Sequence, residues 1–199
     1  MDDARTEEFG PFLDMMKDGA PFLCTDISDA EAVLSASHTL DVVLRIAIGT
    51  AFRVKVSSNE MRGIFETGGS LAGLDSKVRI ASAFGILQGD FRHDADIIRA
   101  VRNMVAHSIV VRTFVDDDIY GKCAKLKCSA PLKSHDALYV RNKFVASCVR
   151  LIQFILTSTS FTIVANALVD KNKDALQPAA IMVAVAVLKE AGMMDQEAT

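Results

Sequence analysis

The chain has 199 residues, of which 50% are hydrophobic and 24% charged, a composition typical of a folded domain and not of a disordered chain. Its formal net charge is -3. Proteins whose main task is to bind nucleic-acid phosphates usually carry a basic excess, so DNA or RNA binding by this chain would require a local basic patch.

The beginning of the chain predicts an arm and no secretion signal. Residues 1–10 read MDDARTEEFG, which is acidic and lacks the apolar centre of a signal peptide. Prolines and glycines punctuate residues 11–25 and favour short turns. We therefore assign residues 1–25 to an N-terminal arm, 26–192 to one helical domain and 193–199 to a C-terminal tail, and we expect a cytoplasmic protein.

The clearest helix of the chain begins near residue 28. Asp26 or Ser28 offers an N-cap, and the acidic Asp29 and Glu31 suit the positive end of a helix dipole. Apolar residues then recur at steps of three and four, while polar residues occupy another face. The apolar positions are Val33, Ala36, Leu40, Val43, Ala47, Ala51 and Val54, and the polar positions are Glu31, Ser35, His38, Asp41 and Arg45.

Residues 59–74 contain four glycines, and their run GGSLAG is superficially similar to a phosphate-binding loop. The run lacks the lysine of a G-x-x-x-x-G-K-[ST] loop, and no β-strand pattern precedes it. We interpret the segment as a flexible connection whose glycines permit positive φ.

Two further helices are predicted at residues 75–87 and 96–108, separated by a turn at residues 88–90. The apolar side of the first consists of Ile80, Phe84 and Leu87. The second has the sequence DIIRAVRNMVAHS, and its predicted buried stripe consists of Ile97, Val101, Met104 and Val105.

No cofactor or metal site is predicted. The adjacent aspartates at 116–118 do not converge on one ion, and they suit the acidic start of a helix near Ile119. The cysteines contain no C-x-x-C pair, and we expect them to be reduced thiols. They are Cys24, Cys123, Cys128 and Cys148.

One very long helix, or two collinear helices, is predicted at residues 135–169. Within it, residues 151–169 carry no charge and have the length of a membrane span, but seven polar residues interrupt them. We interpret this part as a buried helix, bent near its Thr-Ser-Thr-Ser run, where hydroxyls bond back to the preceding turn. A last helix is predicted from Pro178 to Lys189. Since no segment shows strand alternation, the predicted fold is all-α: a single-domain bundle of about five to seven helices.

The helix at 96–108 carries the polar residues best suited to catalysis or to binding. On an ideal helix, Asp96, Arg99, Asn103 and His107 share one face, Arg102 lies beside it, and Asp96 is placed to pair with Arg99. An arginine, a carboxamide and an imidazole could stabilise a phosphate and move a proton, which makes Arg102, Asn103 and His107 candidate catalytic residues for metal-free RNA cleavage. The alternative is a structural or interface cluster in which the five side chains hold helix ends or a partner.

Residues 29–168 resemble the bacterial mannitol operon repressor family in an ordered series of segments. The segments are AEAVLSASHTLDVVLRIAI, IFETGGSLAGLDSKVRIASAFGIL, DADIIRAVRNMVAHS, RTFVDDDIYGKCAKLK and RNKFVASCVRLIQFIL. The positions that match the family most clearly are Leu71, Ser76, Lys77, Ala81, Gly85, Ile98, Arg102, Asn103, Ala106 and His107. The sequence departs from the family at Val105, where an aromatic residue is common, and in the glycine-rich residues 69–73.

This resemblance implies an all-helical protein linked to transcriptional control of sugar-alcohol uptake, in a family without an evident DNA-binding motif. More distantly, the chain resembles the helical HEPN domains, whose ribonuclease members carry an arginine, four to six residues and then a histidine. Arg102 and His107 fit this pattern, although many proteins of the fold are non-enzymatic binding modules.

Three functions follow, and we favour the first. It is a non-enzymatic regulator that binds another protein. The second is a metal-independent HEPN-type ribonuclease. The third is direct DNA binding through residues 75–107 as a helix-turn-helix, whose recognition helix would start with the four residues 93–96 against DNA. It is disfavoured because Asp94 and Asp96 would then face phosphates. A homodimer is compatible with the first two functions, and no membrane association is expected.

Overall fold

The computed structural model describes residues 27–52, 56–132 and 134–169, with side chains up to residue 162. This part of the chain contains six helices and no strand, which confirms the predicted all-α bundle. The helices are α1 (Asp29–Ala51), α2 (Ser58–Phe65), α3 (Leu74–Ala83), α4 (Gly89–Ala106), α5 (Asp117–Cys123) and α6 (Ala137–Val169). The predicted arm at 1–25, the last helix at 178–189 and the tail at 193–199 lie outside the described residues.

Helix α1 is the central helix of the bundle. Ser28 is its N-cap: the Ser28 Oγ accepts the N–H of Glu31 at 3.2 Å, and the Glu31 carboxylate accepts the N–H of Ser28 at 2.8 Å. This reciprocal capping box satisfies two backbone donors that would otherwise lack partners. Leu40 and Leu44, on the apolar face predicted from the sequence or beside it, are fully buried.

Helix α6 packs more extensively on α1 than any other described element does. It is one continuous helix, as one of the two sequence alternatives predicted. Phe144 and Ile155 are fully buried against the core, and the Phe144 ring lies 5.5 Å from that of Phe114. Thr159 Oγ1 donates back to the carbonyl of Ile155 at 2.7 Å, which is the hydroxyl interaction expected for this polar-interrupted segment.

Two described helices are long and apolar enough to cross a membrane by length and composition alone. They are Asp29–Ala51, whose most apolar window is 61% buried inside the protein, and Ala137–Thr162, whose window is 50% buried. Both contribute their apolar faces to the hydrophobic core, so burial within the bundle accounts for much of this hydropathy.

The predicted flexible connection at 59–74 is wrong in its first half, because residues 58–65 form helix α2. Ser57 caps this helix, and its N–H donates to the Glu60 carboxylate at 2.9 Å in a second capping box. Phe65 is buried in the core. This helix was not predicted because the glycines of the segment, including Gly63 inside α2, lower its helix propensity. Tertiary packing overrides this weak local preference.

The boundaries of the next two helices also differ from the prediction. Helix α3 ends at Ala83, and the chain turns at Gly85, whose φ of 75° suits a residue without a side chain. Helix α4 begins at Gly89, within the predicted turn at 88–90, with Gln88 as its N-cap. The turn is therefore earlier and α4 is longer than the apolar pattern indicated.

The buried face of α4 is rotated from the predicted stripe. Val101 is fully buried as predicted, but Ile97, Met104 and Val105 are only partly buried at the edge of the core. The centre of the buried face is formed by Asp94, Ala95 and Ile98. The apolar pattern alone misplaced the buried face of α4 because this face contains the charged residue Asp94. The Asp94 carboxylate is held there by backbone N–H donors of a distant segment.

A candidate interaction surface at the end of helix α4

The predicted polar cluster on α4 separates into two parts, and the first part ties α4 to α3. Arg99 Nη1 lies 2.9 Å from an oxygen of Asp75 on α3, and Arg92 Nε lies 2.9 Å from an oxygen of Asp96. The predicted pair between Asp96 and Arg99 is long, at 3.9 Å. These charges form an ion-pair network between α3 and α4.

Arg92 was not part of the predicted polar cluster, although it stands four residues before Asp96. Its Nη1 donates to the carbonyl of Val78 and to Ser82 Oγ, each at 2.7 Å. Arg92 therefore binds the C-terminal half of α3 directly. Its spacing from Asp96 was a usable signal for an ion pair, but its reach to α3 depends on the packing of two helices.

The second part of the cluster lies at the C-terminal end of α4. Arg102 Nη1 donates to Asn103 Oδ1 at 3.1 Å, within the same helix. His107 is the C-cap, and its backbone N–H donates to the carbonyl of Asn103 at 3.1 Å while its side chain is exposed. No hydrogen bond or ion pair joins the imidazole to another described side chain. Five residues along a helix correspond to a rotation of about 140°, so Arg102 and His107 point in different directions within one chain.

An exposed apolar segment follows directly after His107. Ile109 is 103% exposed, Val110 67%, Val111 83% and Val115 55%. Single exposed apolar side chains are common, but several within one loop form a patch that usually marks a binding surface. The segment comprising residues 109–115 is termed the 109–115 loop. Three consecutive β-branched apolar residues follow the end of α4 in the sequence, but their type alone does not indicate that they are exposed.

The base of the 109–115 loop is anchored directly to α1 and α5, and through Asp29 to α6. Arg112 forms ion pairs with Asp116, at 2.8 Å, and with Asp118 at the start of α5. The N–H of the buried Phe114 donates to Asp29 Oδ2 at 3.0 Å, and the other Asp29 oxygen lies 3.5 Å from Arg141 Nη1 on α6. The loop therefore presents its apolar tip from a fixed base, which lowers the ordering cost of binding.

The aspartates at 116–118 have the helix-starting role that the sequence predicted. Asp116 is the N-cap of α5, and its carboxylate accepts the hydroxyl of Thr113 at 3.1 Å. Burial raises the pKa of Asp118, but hydrogen bonds from Arg112 and from the Ile119 N–H lower it more, so this pKa lies below its ordinary value. Among the residues the structure describes, no group of three His, Cys, Asp or Glu side chains could hold a metal ion.

The burial of residues near the start of α4 disfavours the helix-turn-helix interpretation of residues 75–107. That interpretation placed the start of the recognition helix at residues 93–96, whereas α4 begins at Gly89. Asp94 and Ala95 are fully buried in the core. Two of the four residues expected to face DNA are therefore not on the surface.

Comparisons with known proteins support the fold. No protein-family model and no curated protein matches this chain. The X-ray structure of the MtlR-HPr complex from Escherichia coli contains a chain of similar fold, with a TM-score of 0.56 and 18% sequence identity over 75% of this chain and 98% of that chain. The bundle thus has an MtlR-like fold, as the resemblance to mannitol operon repressors predicted.

Proposed function

We propose that this protein is a non-enzymatic cytoplasmic regulator that acts by binding a partner protein, and that the partner is HPr or a protein like it. The observation that carries the proposal is the exposed apolar tip of the 109–115 loop on an anchored base. The MtlR-like fold supports it, because the similar chain was solved in complex with HPr. The resemblance to mannitol operon repressors makes transcriptional control of sugar-alcohol uptake the process that such binding would regulate.

The proposed contact combines the loop with the end of α4. Burial of Ile109, Val110 and Val111 would contribute about 1.5–3 kcal/mol for each side chain, before the entropic cost of association. His107 lies two residues before Ile109, and His107 and Arg102, at the same end of α4, would supply hydrogen-bond donors for a polar rim. In this proposal, the polar cluster predicted from the sequence is an interface, with Asp96 and Arg99 supporting it from within the bundle.

Calorimetric titration of the full-length protein with purified HPr tests the proposal. We expect saturable binding with a Kd of about 10 μM or tighter and joint elution in gel filtration. Absence of heat and separate elution at about 100 μM of each protein would remove HPr as the partner. The elution volume of the protein alone tests, in the same experiment, whether the chain forms a homodimer.

Metal-independent ribonuclease activity remains the second candidate, because the exposed His107 and the half-buried Arg102 lie near one helix end. Their different directions on α4 mean that a joint active site would have to combine residues from two copies of the chain. RNA cleavage in EDTA that is lost in His107→Ala would establish this function. A lack of cleavage across single- and double-stranded RNA would reject it.

A further inference from the structure

A cavity of about 440 Å³ lies between α1, the end of α2 and the start of α3. His38, Asp41 and Arg45 reach it from one face of α1, since they are spaced by three and four residues. Glu66 and Thr67 line it from the end of α2, and Lys77 lines it from α3. Its volume falls within the range of small-molecule sites, roughly 300–1,000 Å³.

The floor of the cavity is a buried ion pair between α1 and α3. The Lys77 side chain is 2% exposed, and its Nζ lies 2.7 Å from both oxygens of Asp41 and 3.2 Å from the carbonyl of Ala72. All three ammonium hydrogens therefore have an acceptor. The Asp41 side chain is 27% exposed and keeps lone pairs that Lys77 does not use, because a carboxylate offers about four. Asp41 can thus accept further hydrogen bonds from within the cavity.

The lining carries charges of both signs. Lys77 pairs with Asp41 at 2.7 Å, and Glu66 pairs at 3.3 Å with Arg62, which lies outside the lining. The guanidinium carbon of Arg45 lies 5.6 Å from the centre of the Phe65 ring, which holds this cation at the wall. An anionic ligand would lie against the Asp41 and Glu66 carboxylates, and a cationic ligand would lie against Arg45 and Lys77. A charged ligand of either sign therefore meets a like charge, which is costly. A neutral hydroxyl group avoids that cost, since it donates to a carboxylate and accepts from a guanidinium or an imidazole.

We propose that this cavity binds a small, neutral, polyhydroxylated molecule, with Asp41 accepting hydroxyl hydrogens and Arg45 and His38 donating to hydroxyl oxygens. Thr67 adds a hydroxyl that serves both roles at the rim. The site is distinct from the 109–115 loop and does not depend on the identity of a protein partner. It assigns a second function, small-molecule binding, to the polar face of α1.

The test uses the full chain and ligand-observed NMR with matched neutral and charged probes. The neutral probes are xylitol, sorbitol, mannitol and glucose, and the charged probes are glucose 6-phosphate and gluconate. We expect at least one neutral probe to bind with a Kd below about 10 mM, and each charged probe to bind more weakly. The proposal would be overturned if a charged probe bound more tightly than every neutral probe, or if no neutral probe bound with a Kd below about 10 mM.

Variants at the rim separate this site from nonspecific binding. His38 and Thr67 are exposed and do not belong to the buried ion pair, so His38→Ala and Thr67→Ala are expected to fold normally. Each should weaken binding of the neutral probe at least about threefold, whereas Ser70→Ala, an exposed position outside the lining, should not. Equal binding by all three variants, with circular dichroism spectra unchanged, would contradict the proposed site.

Discussion

Asp94 and Lys143 hold the same segment of chain from two different helices: Asp94 binds its backbone N–H groups, and Lys143 binds its backbone carbonyls. The Asp94 carboxylate accepts the N–H groups of Lys127 and Cys128, each at 2.9 Å. Lys143 Nζ donates to the carbonyls of Leu126 and Ala130, at 2.9 and 2.8 Å. Both charged side chains are buried. The connection after α5 is thereby fixed between α4 and α6 by groups that satisfy its backbone.

Replacement of Asp94 should be among the most destabilising single changes in this bundle. Asp94→Ala would leave two N–H groups in a buried site without their acceptor, and we expect a loss of about 3 kcal/mol in the free energy of unfolding. Asp94→Asn keeps one acceptor and should cost less. Urea unfolding followed by circular dichroism measures both. Asp90→Ala is the matched control, because its ion pair with Lys127 is exposed and worth less than about 1 kcal/mol. Equal costs for Asp94→Ala and Asp90→Ala would contradict this account.

Two glycines near α2 should respond to alanine in opposite directions. A side chain on Gly69 would lie 2.4 Å from the carbonyl oxygen of Ile64, a backbone atom that cannot move aside cheaply, so Gly69→Ala should destabilise the protein by about 1–3 kcal/mol. Gly63 lies inside α2 with open space around it, and Gly63→Ala should stabilise the protein by up to about 1 kcal/mol. Thermal unfolding of both variants provides the measurement, and a destabilised Gly63→Ala would show that α2 is not the helix described here.

The three described cysteines should be slow to react in the native state. Burial raises the pKa of Cys123 to about 12, and burial together with Asp94 raises the pKa of Cys128 to about 12. Burial also raises the pKa of Cys148. Since the thiolate is the reactive form, alkylation of a Cys24→Ser variant at pH 8 should be slow until urea unfolds the protein. Fast modification of Cys123 or Cys148 in the folded state, detected by mass spectrometry, would contradict their burial.

The base of the 109–115 loop should depend on the charge of Asp118. Its pKa is lowered in the folded state, so the stabilisation from pairing is present above the ordinary pKa, about 4, and is lost as pH falls through the lower folded value. Arg112→Ala should bring this pKa back towards its ordinary value, as an NMR titration would detect. The same variant should increase amide exchange in residues 109–115, whereas Arg79→Ala, which removes an exposed pair with Asp75, should not.

Local sequence patterns predicted the structural features that depend on contacts between residues close in sequence. The Ser28 cap, the apolar face of α1 and the acidic start of α5 each rest on contacts within a few residues of sequence. The buried face of α4 could not be predicted in this way, because Asp94 is satisfied by residues 33 and 34 positions further along the chain. The pair of Lys77 with Asp41 spans 36 positions and was equally hidden.

The candidate site shows the same division. Helical spacing identified the polar residues of α4, but it grouped Arg99 with His107, whereas the packing of α3 draws Arg99 to Asp75. The exposure of Ile109 was not predictable from its type, since three apolar residues in a row are usually buried. In this loop the buried apolar residue is Phe114, which is anchored to Asp29, and residues 109–111 remain exposed.

The most direct test of the central claim is the affinity of Val110→Asp for HPr, measured by calorimetry beside the unaltered protein. A charge at the exposed apolar tip should weaken binding at least about tenfold without changing the unfolding temperature, because the Val110 side chain contributes little to the core. Phe161→Asp, at another exposed apolar position, is the control and should bind normally. Unchanged affinity of Val110→Asp would contradict the proposal that the 109–115 loop is the partner-binding surface.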